Sequence, residues 1–393
     1  MGNTAVYFHW PFCKSKCPYC DFVSLPSSDE SLYAHFEDLM LSDLKNSLEY
    51  LFSSYREEGK NFCIGSVFFG GGTPSLMNPS AAEKILNFLF GNYPAESKVE
   101  VSLEANPATF DKKRMKDFKC AGINRLSLGV QSFFDKNLRF LGRIYDGKQA
   151  AEAAGIVSEV FENFSFDLMC GYECQNEVDL KADLKQAAEF GCKHLSCYQL
   201  TFEKNTPFHK KMLAGEIKTS ETEFYDLIEN VLKEYGIFRY EISNCARPGF
   251  ESRHNLAYWR YEDYLGIGPS ACSRVTVNGQ KIEAKKISDP FLWANAVAEN
   301  RNAFSLFNIL TEEEKLQEAI ITGLRLIEGI SADELCAKVS PEVVHRIVSP
   351  QKLEFLRKKR LLAKEKIRLT RVGLKRMNAV LEFLLSEERR DRA

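Results

Sequence analysis

The sequence holds no apolar run approaching the length of a transmembrane helix, which argues against a helical membrane anchor. Its apolar opening, Ala5 to Phe12, has no basic segment before it and no small-residue cleavage site after it, so it does not read as a secretory signal. The expected location is the cytoplasm. Neither sign of charge dominates: 52 Lys and Arg stand against 54 Asp and Glu, a formal net charge of −2. Such a balance gives no general attraction to nucleic acid or acidic lipid. Internal repeats and low-complexity tracts are also missing. What remains is 393 residues of ordinary globular composition, 45% hydrophobic and 27% charged, enough for two or three domains and a large core.

Cysteine is not scarce, since the chain has twelve. Nine are scattered, mostly through apolar stretches, and most of them read as small buried hydrophobes. Among these only Cys170 and Cys174 form a suggestive pair, and no further ligands for a second metal site accompany them. The other three, Cys13, Cys17 and Cys20, stand in the spacing C-x3-C-x2-C just after a short apolar run. Lys14, Lys16 and Pro18 make the intervening loop polar and turn-like. Thiolates this close suit an iron–sulfur cluster or zinc. Three ligands do not complete a tetrahedral zinc site, and no fourth Cys or His stands nearby in a usual position; Asp21 follows directly. A cluster of four irons held this way keeps one iron open for an exchangeable ligand.

From Val6 to Leu200 short apolar stretches alternate with helical ones. The strand candidates are Val6–Trp10, Ser66–Phe69, Glu100–Leu103, Arg125–Leu128, Asn163–Leu168 and His194–Leu200. Helices are expected over 30–57, after a capping box of Ser80 with Glu83, and over Lys112–Cys120, Lys148–Val160 and Glu177–Phe190. Six strand–helix units predict a partial (β/α) barrel of the TIM-like kind, whose chemistry lies at the C-terminal strand ends. The distinctive residues fall there. The cysteines follow the first strand and Gly70-Gly71-Gly72-Thr73 the second. Glu104 and Asn106 close the third, Gln131 the fourth, Asp167 lies late in the fifth, and Tyr198-Gln199 ends the sixth.

Composition shifts near residue 215. Ser220 with Glu223 reads as another capping box, and an irregular aromatic segment runs from Tyr240 to Pro269. Thr311 with Glu314 and Ser331 with Glu334 open later helices. Residues 357–376 carry ten Lys or Arg against one Glu. No aromatic platform accompanies that charge, so a solvated helix and wing packing Leu353, Leu356, Leu361, Leu362, Ile367 and Leu369 inward is favoured over nucleic-acid binding. Three units are expected: a core over 1–215, an α+β extension over 216–306, and a small, mainly helical, winged-helix-like domain over 307–393.

The wording around the cysteines, Tyr7-Phe8-His9-Trp10-Pro11-Phe12-Cys13 and Cys17-Pro18-Tyr19-Cys20-Asp21-Phe22, resembles the radical S-adenosylmethionine enzymes. Within them it resembles the oxygen-independent coproporphyrinogen oxidase group and its heme-chaperone branch. The resemblance covers Val6 to about Glu382. It implies a [4Fe-4S] cluster on Cys13, Cys17 and Cys20 whose open iron chelates the methionine end of S-adenosylmethionine. It further implies that Tyr7, Gly71 and Glu104 surround that cofactor. Gln131, Arg143 and Asp167, together with Tyr19, Gly72 and Thr73, match residues that bind a second S-adenosylmethionine in the dehydrogenases.

Departures separate the branches. The dehydrogenases carry another cysteine where this chain has Phe22, and a long extension before the cluster loop, whereas Cys13 stands almost at the start here. Both favour the chaperone, which implies heme as cargo, a heme-acceptor protein (membrane-associated ones included) and an electron donor, with no nucleic acid. Decarboxylation of coproporphyrinogen III is the alternative. Residues 254–259, His-Asn-Leu-Ala-Tyr-Trp, offer an imidazole for heme iron and flat rings for a porphyrin, with Arg253 and Arg260 for propionates. The plainer alternative is a histidine hydrogen-bonded in a domain junction. The resemblance favours heme, because an H-N-x-x-Y-W motif is associated with heme in the chaperone branch. Where Gly-Ala-His is frequent there, this chain has Ser270-Ala271-Cys272.

Overall fold

A computed structural model of the chain describes residues 3–57, 62–109, 111–218 and 224–386, with residues 53–57 described by backbone alone. Six strands form the expected partial barrel: β1 (Asn3–Trp10), β2 (Cys63–Gly71), β3 (Ala95–Ala105), β4 (Arg125–Gln131), β5 (Asn163–Cys170) and β6 (His194–Gln199). Each pairs in parallel with the next. Parallel neighbours require a crossover. The crossovers carry α1 (Glu30–Glu57), α2 (Pro79–Asn92), α3 (Lys112–Cys120), α4 (Asp135–Phe140), α5 (Gly147–Val160) and α6 (Glu177–Glu189).

Strand alternation sorts the two faces. Val6, Phe8 and Trp10 of β1 are fully buried against the helical layer with Phe36, Met40 and Leu44 of α1, whereas Tyr7 and His9 fall on the opposite face. One expected start is corrected. Asn78, rather than Ser80 with Glu83, caps α2, its side chain accepting from the Ser80 amide at 3.0 Å, with Pro79 as first helical residue. The boxes Thr311/Glu314 and Ser331/Glu334 are formed. Ser220 and Glu223 lie outside the described residues.

Residues 238–309 prolong the barrel sheet at both edges. After α7 (Pro207–Leu213) and α8 (Tyr225–Lys233), the strands β7 (Phe238–Arg239) and β8 (Asn244–Ala246) join antiparallel beyond β6. On the other side β9 (Asp263–Ile267) pairs in parallel with β1. It is followed by β10 (Cys272–Val277), β11 (Gln280–Lys286) and β12 (Phe304–Ile309) in antiparallel order. The result is one twelve-stranded sheet in the order β12-β11-β10-β9-β1-β2-β3-β4-β5-β6-β8-β7. The segment expected to be irregular is therefore ordered, and His254 to Trp259 sit on a short helix, α9 (Arg253–Trp259).

A buried knot ties α1 to this addition. Asp43 of α1 accepts from the Lys286 ammonium, from Trp293 Nε1 at 3.1 Å and from the Gly268 amide at 2.9 Å. The remaining chain, from α10 (Glu312–Gly323) onward, is mainly helical and has its own core. Leu316, Ile320, Leu335, Leu356, Leu362, Ile367, Val380 and Leu384 are buried there. The basic residues of 357–376 thus stand on a scaffold whose leucines and Ile367 turn inward. No helix among the described residues is long and apolar enough to cross a membrane.

Candidate functional site

The cysteine loop leaves the C-terminal end of β1 and is fastened largely by bonds that use no sulfur. The Leu25 amide donates to Pro11 O at 2.8 Å and the Ser27 amide to Cys13 O at 3.0 Å. A tight turn closes where Cys20 N meets Cys17 O at 3.1 Å. The Lys16 ammonium holds Phe22 O at 3.0 Å and Ser24 O at 3.3 Å. Pro18 packs so closely on Gly142 that a β-carbon there would lie 2.5 Å from its Cδ, and Gly142 also needs its positive φ of 66°. Cys13 is buried, Cys17 and Cys20 are half-buried, and all three line a cavity of about 380 Å³ over the strand ends.

The glycine turn after β2 forms the adjoining wall. The Gly72 and Thr73 amides donate to Trp10 O at 2.7 Å and Phe12 O at 2.8 Å. A β-carbon on Gly72 would stand 2.5 Å from Phe12 O. Glycine is therefore demanded by the approach of the turn to the cysteine loop itself. Gly71, Gly72 and Thr73 all face the cavity.

Two carboxylates and a guanidinium supply the charge. Glu104 accepts from the Gly71 amide at 3.1 Å. Burial, reinforced by the neighbouring Asp167, pushes its pKa up to about 8. Asp167 is likewise raised by burial, against the hydrogen bonds it receives from Ser196 and from Ser127, the latter 3.1 Å from each oxygen. Arg143 reaches Cys17 Sγ at 2.9 Å, the Tyr19 hydroxyl at 3.1 Å and the Tyr145 hydroxyl at 2.9 Å. Gln131 closes β4 with φ of 64°, a left-handed conformation uncommon outside glycine and asparagine. Tyr19, Glu104, Gln131, Arg143 and Asp167 all line the same cavity as the cysteines.

Tyr7 and His254 are placed differently. Neither is among the residues lining that cavity. The Tyr7 hydroxyl lies 3.1 Å from His9 Nδ1, and His9 Nε2 lies 2.8 Å from Val23 O in the cysteine loop. A carbonyl only accepts, so His9 carries its proton on Nε2 and Nδ1 accepts from Tyr7. Burial lowers the His9 pKa, in keeping with a neutral ring. His9 is thus a positioning residue that sequence reasoning missed. The available signal was its period-two spacing from Tyr7, which puts both on the inner face of β1.

His254 forms part of the barrel floor. Its Nδ1 is 2.9 Å from Ser66 Oγ, its Nε2 is 2.8 Å from the Tyr258 hydroxyl, and its ring stacks on Phe68 with centroids 4.9 Å apart. Burial lowers its pKa to about 3. Arg253 is taken up by Glu96 and Lys98 O, and Arg260 by Glu328. This geometry bears on the expectation that His254 offers an imidazole to heme iron. Both ring nitrogens are engaged, and ligation would require breaking one of these bonds. Cys272, by contrast, is exposed.

The donor set fits an iron–sulfur cubane. Among the described residues no three Cys, His, Asp or Glu side chains converge on a single ion. A cubane takes each thiolate on a different iron, so Cys13, Cys17 and Cys20 need only surround a common space. Beyond them lie paired carboxylates suited to cationic and hydroxyl groups, and a guanidinium suited to carboxylate.

Comparisons with known proteins show the family and the fold. The radical SAM superfamily model matches residues 7–187. The heme chaperone HemW of Escherichia coli is 32% identical over 98% of this chain and 98% of that protein. The mitochondrial radical S-adenosyl methionine domain-containing protein 1 of Danio rerio is 33% identical over 84% of this chain and 74% of that one. Among solved structures, the coproporphyrinogen III oxidase HemN of Escherichia coli superposes with a TM-score of 0.78 at 20% identity, over 98% of this chain and 90% of that one. That likeness establishes the fold.

Proposed function

The chain belongs to the HemW family of the radical SAM superfamily, and from that footing we propose that it is a heme chaperone: it holds a [4Fe-4S] cluster, binds S-adenosylmethionine and heme, and hands heme to an acceptor protein. One observation carries the reading: a single cavity gathers the three cysteines, the glycine turn, both carboxylates and Arg143 at the strand ends. In this reading Cys13, Cys17 and Cys20 hold the cluster, which when bound supplies an open iron and an electron. Gly71, Gly72 and Thr73 let ligand and backbone come close, and Glu104 and Asp167 take the cofactor's cationic and hydroxyl groups. Gln131, Arg143 and Tyr19 close the far side. Tyr7 acts through His9 on the cysteine loop. The reducing cytoplasm suits a site that needs open thiols.

For heme the reading favours the cavity mouth. Phe22 is 54% exposed and Tyr198 is 39% exposed, and both line the opening with flat apolar faces. His254 then holds the floor. Heme titration followed by the Soret band tests this. Phe22→Ala is expected to weaken binding several-fold, whereas His254→Ala is expected to lower thermal stability and leave the Soret maximum in place. A displaced maximum in His254→Ala returns that imidazole to the iron.

Glu104 gives the cofactor site a pH dependence. With a pKa raised to about 8, it holds a proton at neutral pH. A cationic ligand favours the carboxylate, so binding releases that proton. Affinity for S-adenosylmethionine is therefore expected to climb up to roughly tenfold per unit as pH rises toward 8, then level off. Glu104→Gln should flatten the profile; isothermal titration in two buffers of different ionisation enthalpy reads the proton directly. The alternative reading, oxidative decarboxylation of coproporphyrinogen III, draws on the same cavity and is separated from the first by turnover.

A further inference from the structure

The last residue of β4 sits in a strained turn. Leu128 pairs with Phe166 and Gln131 with Leu168, so β4 carries one residue more than β5 over this stretch. Such a bulge re-aims a side chain, and here the residue at its end, Gln131, lines the cavity. The Ser132 amide donates back to Val130 O at 2.8 Å across Gln131, whose φ is 64°. That is a three-residue γ-turn of the rare positive-φ kind. A residue other than glycine keeps such a conformation only where its surroundings enforce it.

The enforcement comes from both sides. Before the turn, the Tyr145 hydroxyl lies 2.7 Å from Gly129 O and 3.1 Å from Val130 O. After it, the buried Asp183 of α6 accepts from the Ser132 hydroxyl at 2.7 Å on one oxygen and from the Phe133 amide at 2.7 Å on the other. The Ser132 oxygen accepts in turn from the Phe134 amide at 3.1 Å and from the Asn137 side chain at 3.2 Å. Asp183 does not line the cavity itself. A carboxylate this deep is costly unless its bonds are made, and both of these bonds fall on the two residues that leave the turn.

We propose that Asp183 is a positioning residue for the cofactor site, its two hydrogen bonds holding the turn that keeps Gln131 in the cavity wall. The proposal rests on the reading of that cavity as an S-adenosylmethionine site whose far side Gln131 helps to close. Without Asp183 the Ser132 hydroxyl and the Phe133 amide lose their acceptor. The turn then relaxes to an unstrained conformation and carries Gln131 out of the wall.

Isothermal titration of S-adenosylmethionine into the reconstituted protein tests this. Gln131→Ala is expected to weaken binding by about three- to tenfold, the worth of one hydrogen bond. Asp183→Ala should weaken it by as much, with the iron content per chain unchanged. Asp183→Asn keeps an acceptor for the Phe133 amide but not for the Ser132 hydroxyl, and should fall between. The decisive comparison is the double variant, because Asp183→Ala adds nothing in a chain that already lacks the glutamine if it acts through Gln131. Should Asp183→Ala fail to load its cluster, the same cycle is run with Asp183→Asn. Parental affinity in the Asp183 variants, or losses that add in the double variant, overturn the proposal and leave Asp183 as a staple of α6. A parent that binds no S-adenosylmethionine overturns the reading of the cavity along with it.

Discussion

With Cys13, Cys17 and Cys20 all replaced by alanine, the anaerobically reconstituted protein is expected to lose its visible absorption and about four irons per chain, since these thiolates are the proposed ligands of the cluster. Far-ultraviolet circular dichroism should stay close to that of the parent. The physical reason lies in how the loop is held. Its fastenings include main-chain bonds from Leu25, Ser27, Gly72 and Thr73 and the reach of Lys16, none of which uses a sulfur, so the variant loses the Arg143 bond to Cys17 Sγ and keeps these. A variant that keeps its cluster would move the site elsewhere. Cys170 and Cys174 are poorly suited to receive it, because neither lines the cavity that gathers Cys13, Cys17 and Cys20.

The second large effect concerns folding. Asp43→Ala is expected to cost about 3–5 kcal/mol, measured by urea denaturation, because it leaves a buried ammonium without its counter-charge. Lys286 is wholly enclosed, and its other hydrogen bond is to Ser47, at 2.8 Å. Trp293 Nε1 and the Gly268 amide lose their acceptor at the same time. Adding Lys286→Met should recover part of the loss by removing the stranded charge, leaving the cost of the two remaining donors. A loss below about 1 kcal/mol for Asp43→Ala, the scale of an exposed pair, would mean that water reaches this knot.

Much of this molecule is legible in its sequence wherever the signal is local. The alternation of short apolar stretches with helical ones marks all six barrel strands, and Thr311/Glu314 and Ser331/Glu334 mark real helix starts. The cysteine loop is legible for the same reason, since ligand spacing and turn residues lie within a dozen positions. Features set by distant partners are not. The parallel pairing of β9 with β1 joins residues about 260 positions apart, and nothing near Asp263 announces it. Nothing near His254 announces that Ser66 and Phe68, from a strand almost two hundred residues earlier, pack against its ring. The bond of the Tyr7 hydroxyl to His9 shows in the sequence only as a period-two spacing. The Asn78 cap was missed for a simpler reason: Ser80 with Glu83 mimics the same signal two residues later.

One parallel measurement separates transport of heme from chemistry on a porphyrinogen. The reconstituted protein is given heme in one anaerobic series, and in another coproporphyrinogen III with reductant and S-adenosylmethionine. Saturable uptake of one heme per chain, followed by its loss to an apo-hemoprotein, with no protoporphyrinogen formed, is the expected result. Multiple-turnover formation of protoporphyrinogen by the pure protein, without saturable heme uptake, would contradict it.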